Sequence, residues 1–592
     1  MNHVNIITSL ALLLLVISCK QEPSTSNIID FKRTDNNVVV RIEGEVNNVL
    51  PLVSNSLYES QVFSQLYNYL VSHNPITNTF EPELIKTMPF LETNDDDAPG
   101  KYAYTFEIIE AANWSDGTPV TANDFLVTVK STFNPLEERS IRYRPYWSDN
   151  IKDIVIDPND PKKFKVYFDQ LDIQSLEYIT NTLPVIPAKL LDPGNVLASI
   201  SLDNLINNPE SLSDNDDLAA QVARFSDLSY LRAPENLISS GPYTVGEWVT
   251  GQKITLNRKK DWWGDQVSKE THGTLAAYPN QITYQTITDP AGAYAAIKSE
   301  DVDVANRILE TGFESLQQDS LAGLKYDYLT VNAARVYFVA INTKKPKLAQ
   351  KEVRQALAYA FDVDEVLETV YSGYGQRTAS PVYPTVDIYN KEIEIKQQNI
   401  EKAKALLEQA GWEDTNGNGI VDKVLDGELT ELSVQYIASP SPQSKNTALL
   451  FQSHAKLAGI DIQVDQQSVQ DYFANYRSKN YDLISTGSTI TPNWNPKQFW
   501  HSEGANRTGF ASPETDELID QIVLELDENK RAAMYKDLQA IIAEKQPVIF
   551  LHVPKTTIAI HKRFDYDTFE WYEGFEPRWF KLKDEYKGLS QN

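Results

Sequence analysis

Two hydrophobic periodicities alternate along this chain, and that alternation restricts its fold more than any other feature. "VVVRIEG" (38–44), "KYAYTFEII" (101–109), "KFKVYFD" (163–169) and "KITLNRK" (253–259) are short runs rich in β-branched and aromatic residues, and each predicts a strand. "TANDFLVTVKSTF" (121–133), "NIEKAKALLEQAGW" (399–412) and "ENKRAAMYKDLQAIIAEKQP" (528–547) follow a helical period instead. In the second of these, Ile400, Ala403, Leu406, Leu407 and Ala410 share one face and Gly411 closes the helix; Pro547 ends the third. Strands interleaved with amphipathic helices predict α/β layers, not a helical bundle or a β-sandwich. At 592 residues the chain exceeds a single core and predicts about two to four domains. No repeat and no low-complexity tract interrupts it, and the polar stretches 91–100 and 206–217 read as surface loops.

The N-terminus follows a different logic. Residues 6–17 are apolar apart from Thr8 and Ser9, a run too short to span a bilayer, which needs about 20 residues. The run fits the apolar region of a secretory signal peptide, residues 1–18. Val16-Ile17-Ser18-Cys19 resembles the bacterial lipobox, in which the cysteine is lipidated and becomes the new N-terminus. Cys19 is the only cysteine, so no internal disulfide is possible. The polar residues that follow read as a lipid-anchor tether over 19–36. The segment "MNHVN" carries no Lys or Arg, and a soluble secreted protein cut elsewhere is the alternative.

Charge and motif content exclude several functions. The formal charge is 54 − 82 = −28, which disfavours nucleic acid and anionic lipid as partners. Seven scattered histidines give no zinc-ligand spacing, and neither a P-loop nor HExxH nor CxxC occurs. Asp301 and Asp303 stand two apart, but no acidic pair lies in a motif that fixes it across a scissile bond, so a hydrolase is a remote reading. No cofactor is expected. One stretch leaves a metal open: in "DTNGNGIVDK", Asp414, Asn416, Asn418, the Ile420 carbonyl and Asp422 occupy calcium-loop positions, but Leu425 stands where the bidentate Glu belongs. A plain polar turn and a weak calcium site are both compatible with it, and calorimetric titration of chelator-treated protein with Ca²⁺ decides between them.

"YTFEIIEAANWSDGTPVTANDF" combines a Trp anchor, an Asp116-Gly117 turn and a Thr121–Asp124 helix start. With "SSGPYTVGEWVTGQKITLNRKKDWWG" (239–264), "YFVAINTKKPKLAQKEVRQALAYAFDVDEV" (337–366), "IEKAKALLEQAGW", "TALLFQSHAKLAGIDIQV" and "PETDELIDQIVLELDENKRAAMYKDLQAII", it resembles the extracytoplasmic solute-binding proteins of ABC importers, peptide/nickel family. The resemblance covers about residues 40–560. It implies a two-lobed periplasmic-binding-protein fold of the large three-domain type, with mixed sheets and flanking helices. The implied division is a discontinuous lobe I (37–60, 230–336 and 552–592), an inserted domain II (61–229) and a lobe III (337–551), with crossings at 337–342 and 548–554. It also implies a monomeric, non-enzymatic protein at the cell envelope, tethered through its lipidated N-terminus, that closes on a small solute and passes it to ABC permease subunits.

The implied solute is a peptide, held by backbone groups on the cleft edge and by an aspartate for its amino group. The matching region "LISTGSTITPNWNPKQFW" departs from that pattern: Ser488 stands where Trp is usual, Thr491 where the aspartate is expected, and no acidic residue occurs between Asp482 and Glu503. The expected contacts are therefore Gly487, Ser488, Thr489 and Thr491 on one side and Leu57 and Tyr58 on the other, with Trp494 and Tyr383 as flat aromatic faces. An oligosaccharide or other non-peptide solute is the alternative ligand.

Overall fold

The computed structural model describes residues 31–587 apart from 96–97, 149–150, 490–493 and 571–572. Cys19, with the expected signal peptide, and Thr491 lie outside the described residues. No helix among the described residues is long and apolar enough to cross a membrane.

A mixed sheet of 12 strands runs through both lobes. In order its main path is Asp461–Gln466, Ser433–Ala438, Leu483–Thr489, Arg335–Ile341, Val548–His561, Val304–Asn306, Asn37–Ile42, Gln281–Thr286, Lys253–Arg258 and Tyr243–Val249. Val548–His561 joins the halves. Residues 548–552 pair with Arg335–Ile341 in lobe III, and residues 555–561 pair with Tyr326–Asn332 in lobe I. The break falls at Pro554, which has no N–H to give a ladder and whose carbonyl accepts from Ala333 N at 2.8 Å. A register shift between Tyr337 and Phe338 marks the same place. The chain passes from one pairing to the other near Ala333, and residues 337–341 of the expected crossing 337–342 pair with Leu483–Thr489.

Strict alternation explains how lobe III covers both faces of its sheet. Val339, Ile341, Ile549 and Leu551 pack under Lys351–Ala360, Ile400–Gln409 and Pro442–Leu457. Phe338, Ala340, Val548 and Phe550 point the other way, against Pro513–Leu524 and Glu528–Lys545. Each such buried aliphatic or aromatic side chain contributes about 1.5–3 kcal/mol. Val353, Leu357 and Ala360 form the buried helical face their spacing predicts, whereas Phe361, also buried, lies just past the helix end in extended backbone. Glu528–Lys545 stops short of Pro547, with Gln546 left-handed at φ 51°.

The inserted domain carries a four-stranded antiparallel sheet, Phe90–Thr93, Tyr102–Glu107, Lys163–Phe168 and Asp153–Ile156. Ala122–Thr132 packs on it through Phe125, 5.2 Å from the Phe164 ring. The predicted corner forms: Gly117 takes φ 86°, and Thr121 N donates to Asp124 Oδ2 at 2.8 Å. Ile173 N donates to Val523 O at 3.0 Å, so this domain touches lobe III directly.

Residues 206–217 lie at the surface as expected but are not plain loop: they join the helices Leu202–Asn207 and Asp216–Ser226, capped by Ser201 and Asn215, through the short helical turn Pro209–Leu212, whose Leu212 is buried. Of the expected tether 19–36, the described part begins at Phe31, which packs against His561 and Tyr586 with ring centroids 4.4 and 4.9 Å away.

Candidate functional site

The strand Leu483–Thr489 is built to leave one edge open. Arg335–Ile341 pairs along its whole length, but Ser433–Ala438 reaches it only at Leu483 and Ile484. Past Ser485, whose carbonyl accepts from Tyr472 Oη at 2.6 Å, no strand among the described residues covers the second edge. Alternate residues of a strand turn N–H and C=O toward each edge, so Thr486–Thr489 present unpaired backbone. Gly487 is glycine for a steric reason. A Cβ there would stand 2.8 Å from Tyr337 Cδ1 and 3.0 Å from Val336 O, so the Tyr337 ring lies across it.

Behind Tyr337 sits His552, fully buried on the crossing strand. Tyr337 and Tyr371 flank its ring at 5.5 and 4.3 Å, and neither imidazole nitrogen has a hydrogen-bond partner among the described residues. Burial, with a smaller push from Arg377, lowers its pKa to about 4. An unfolded histidine titrates near 6.5, so between those values the unfolded chain binds the extra proton. Stability is therefore lost as pH falls from 6.5 toward 4, by about 2 kcal/mol at pH 5. His552→Leu removes this dependence: in calorimetry at pH 7 and pH 5, the wild-type transition should fall further than that of the variant. An equal fall in both would show that His552 protonates freely in the folded chain.

A cavity of about 300 Å³ lies beside the helix Leu57–Phe63, and Leu57, Phe63, Asn181, Phe569, Phe575 and Arg578 are among its lining residues, none of which comes from 337–551. Glu59, buried at the first turn of the helix, holds the loop that leads into it. Its Oε1 accepts from the backbone N–H groups of Asn47 and Asn48, each at 3.1 Å, and its Oε2 from Ser54 Oγ at 2.7 Å. The loop before the helix is thus pinned to it. The opposite wall comes from Phe569 and residues 573–579, seated by Gly574 at φ 86°, where a Cβ would meet Val331 Cγ2 at 2.6 Å and Ile558 Cδ1 at 2.7 Å. Glu573 anchors the same segment through Arg307 at 3.0 Å and through Asn306; burial pushes its carboxyl above the usual range.

The predicted residues do not converge on this cavity. Leu57 lines it; Tyr58 turns away and lies over Gly44. Gly487, Ser488 and Thr489 form the open-edged strand but are not in the cavity lining. Trp494 and Tyr383 are core side chains, 5% and 1% exposed, so neither offers a face to a solute. Trp494 stacks on Tyr535 at 5.5 Å and its carbonyl accepts from that phenol. In the 414–422 loop the carboxylates serve the loop itself. Asp414 accepts from the N–H groups of Gly417, Asn418 and Gly419, the Asn418 side chain accepts from Ile420 N, and Asp422 accepts from Thr415. Asn416 Oδ1 accepts from Asn418 N at 3.0 Å. Among the described residues no group of three or more His, Cys, Asp or Glu is placed to hold a metal ion. The wall formed by Phe569 and 573–579 went unread in the sequence, although "FEPRW" (575–579) is dense in aromatic and charged residues.

A sequence model of bacterial extracellular solute-binding proteins, family 5, matches residues 81–510, well over half of the chain. The chain is 23% identical over 528 residues to the oligopeptide-binding protein AppA of Bacillus subtilis (strain 168), covering 87% of this chain and 88% of that protein. It is 24% identical over 331 residues to the nickel-binding periplasmic protein of Escherichia coli (strain K12), covering 54% of this chain and 59% of that one. The solved structure of AppA from Bacillus subtilis in complex with a nonapeptide superposes with a TM-score of 0.65 at 21% identity, covering 93% of this chain and 99% of that chain. At that identity the likeness establishes a shared fold.

Proposed function

The chain belongs to the bacterial extracellular solute-binding proteins of family 5, and on that premise we propose that it captures peptides between its lobes and delivers them to an ABC permease. It does so as a monomer held at the extracytoplasmic face of a membrane through lipidated Cys19. The observation that carries the peptide reading is the open backbone edge at Thr486–Thr489. A peptide is the solute whose own N–H and C=O groups repeat at the spacing that edge requires. Pro554 and the register shift beside Tyr337 supply the place where the lobes rock to admit and enclose it.

One observation favours a second reading. With no carboxylate between Asp482 and Glu503, a ligand ammonium beside the open strand has no counter-charge from that segment, which suits a non-peptide solute better. Native mass spectrometry of protein purified without denaturation separates the two. A family of peptide masses is the expected result, and a single non-peptide mass overturns it. Metabolic palmitate labelling of the wild type, lost in Cys19→Ser, tests the anchor; an unlabelled but processed wild type removes it.

A further inference from the structure

One wall of the cavity holds donors with nothing to bond. Arg578 is 7% exposed, yet its Nε and Nη1 have no hydrogen-bond partner among the described residues. Glu576 Oε1 stands 3.9 Å from Nε, beyond hydrogen-bond reach. The indole Nε1 of Trp579 and the hydroxyl of Thr274 are also buried without a partner. All three side chains line the same cavity. Buried polar groups in native proteins are nearly always satisfied, and a buried guanidinium without acceptors costs several kcal/mol. Three such donors around one space, beside a single unpartnered acceptor, Gln65 Oε1, point to an occupant rich in acceptors.

The carboxylates that face the cavity are already engaged. Glu83 accepts from Asn68 Nδ2 at 2.8 Å and Tyr69 N at 2.9 Å, and Glu576 accepts from Gln65 Nε2 at 2.9 Å. Glu573 is paired with Arg307. Leu57, Phe63, Phe569, Phe575 and Pro577 give the cavity an apolar patch, set among polar side chains such as Ser60, Gln61, Ser64 and Asn181.

We propose that Arg578, with the indole N–H of Trp579 and the hydroxyl of Thr274, forms a subsite for a carboxylate of the solute, whose adjoining apolar part fills the rest of the cavity. A planar carboxylate matches the guanidinium fork, and the neutral donors take its remaining lone pairs. The proposal rests on reading this cavity as part of the solute site. The carboxylate is either the C-terminus of a peptide or an acidic side chain, and both present the same chemistry.

Isothermal titration of the full mature protein with Ala-Leu-Glu, Ala-Leu-Gln and the C-terminal amide of each distinguishes the two sources. Removing the carboxylate that is read should weaken wild-type binding at least tenfold and weaken Arg578→Met binding less than twofold. Arg578→Lys should recover part of the preference. Trp579→Phe, which removes one N–H and keeps a ring, should lose it partially, so the test survives if Arg578→Met fails to fold. Thermal shifts with 4-phenylbutyrate and its amide make the test independent of peptides. If no peptide binds but the carboxylate stabilises the wild type more than the amide does, and does not do so in Trp579→Phe or Arg578→Met, the peptide reading falls and the subsite stands. Equal responses to carboxylate and amide in the wild type, no response to either, or an undiminished preference in both variants overturns the subsite.

Discussion

Asp303→Ala should destabilise the folded chain by about 3–5 kcal/mol, whereas Asp301→Ala, two residues away, should cost under about 1 kcal/mol. Asp303 is 1% exposed and Arg563 is fully buried, and Arg563 Nη2 meets Asp303 Oδ1 at 2.9 Å. The other carboxylate oxygen accepts from Val39 N at 2.8 Å and from Arg33. Arg563 in turn donates to the carbonyls of Asp35 and Asn37, at 3.1 and 2.7 Å. One carboxylate therefore fastens the entry to the first strand, Asn37–Ile42, to the start of Val304–Asn306 and to the residues just after the long crossing strand Val548–His561. Removing it leaves the buried Arg563 guanidinium, the Arg33 guanidinium and the Val39 N–H without their shared acceptor. Asp301, by contrast, is half-exposed and pairs with Lys32 at 2.5 Å across solvent. Chemical denaturation of both variants checks the contrast, and similar losses would mean that water compensates Arg563. The pairing also disposes of Asp301 and Asp303 as an acid–base couple, because Asp303 is buried and both its carboxylate oxygens are taken by Arg563, Arg33 and Val39 N.

What could be read in the sequence depended on how far apart the deciding residues lie. The corner from Trp114 to Asp124 forms as its local signals dictate, because cap, turn and anchor all act within a dozen residues. The helix face of Ile400, Ala403 and Leu407 is equally local. Trp494 and Tyr383 could not be placed in this way. An aromatic residue reads the same whether it faces a solute or a core, and the phenol that claims Trp494 belongs to Tyr535, 41 residues on. The open edge at Thr486–Thr489 has the same character. Its strand was legible, but its exposure depends on where Ser433–Ala438 stops. The Arg578 wall is further still, since the helix it faces lies about 500 residues earlier, at Leu57–Phe63.

Gly487→Val should weaken the co-purifying solute at least tenfold, a loss of about 1.4 kcal/mol or more. The argument starts from space. A valine Cβ at this position enters the 2.8 Å gap to the Tyr337 ring and sits 3.0 Å from Val336 O. Backbone cannot yield cheaply, so the ring must swing out, and overpacking of this kind costs about 1–3 kcal/mol. Tyr337 contacts His552, so its displacement disturbs the crossing strand as well as the open edge. Ser488→Ala is the matched control. It keeps the backbone of the same strand and removes only a hydroxyl, so binding should stay within about twofold if the solute is read through N–H and C=O groups. Calorimetric titration of both variants with the peptide identified by mass spectrometry, alongside a thermal melt of each, separates lost recognition from lost folding. Near-normal affinity in Gly487→Val with an intact melt would place the solute away from this strand and leave the Arg578 cavity as its sole anchor.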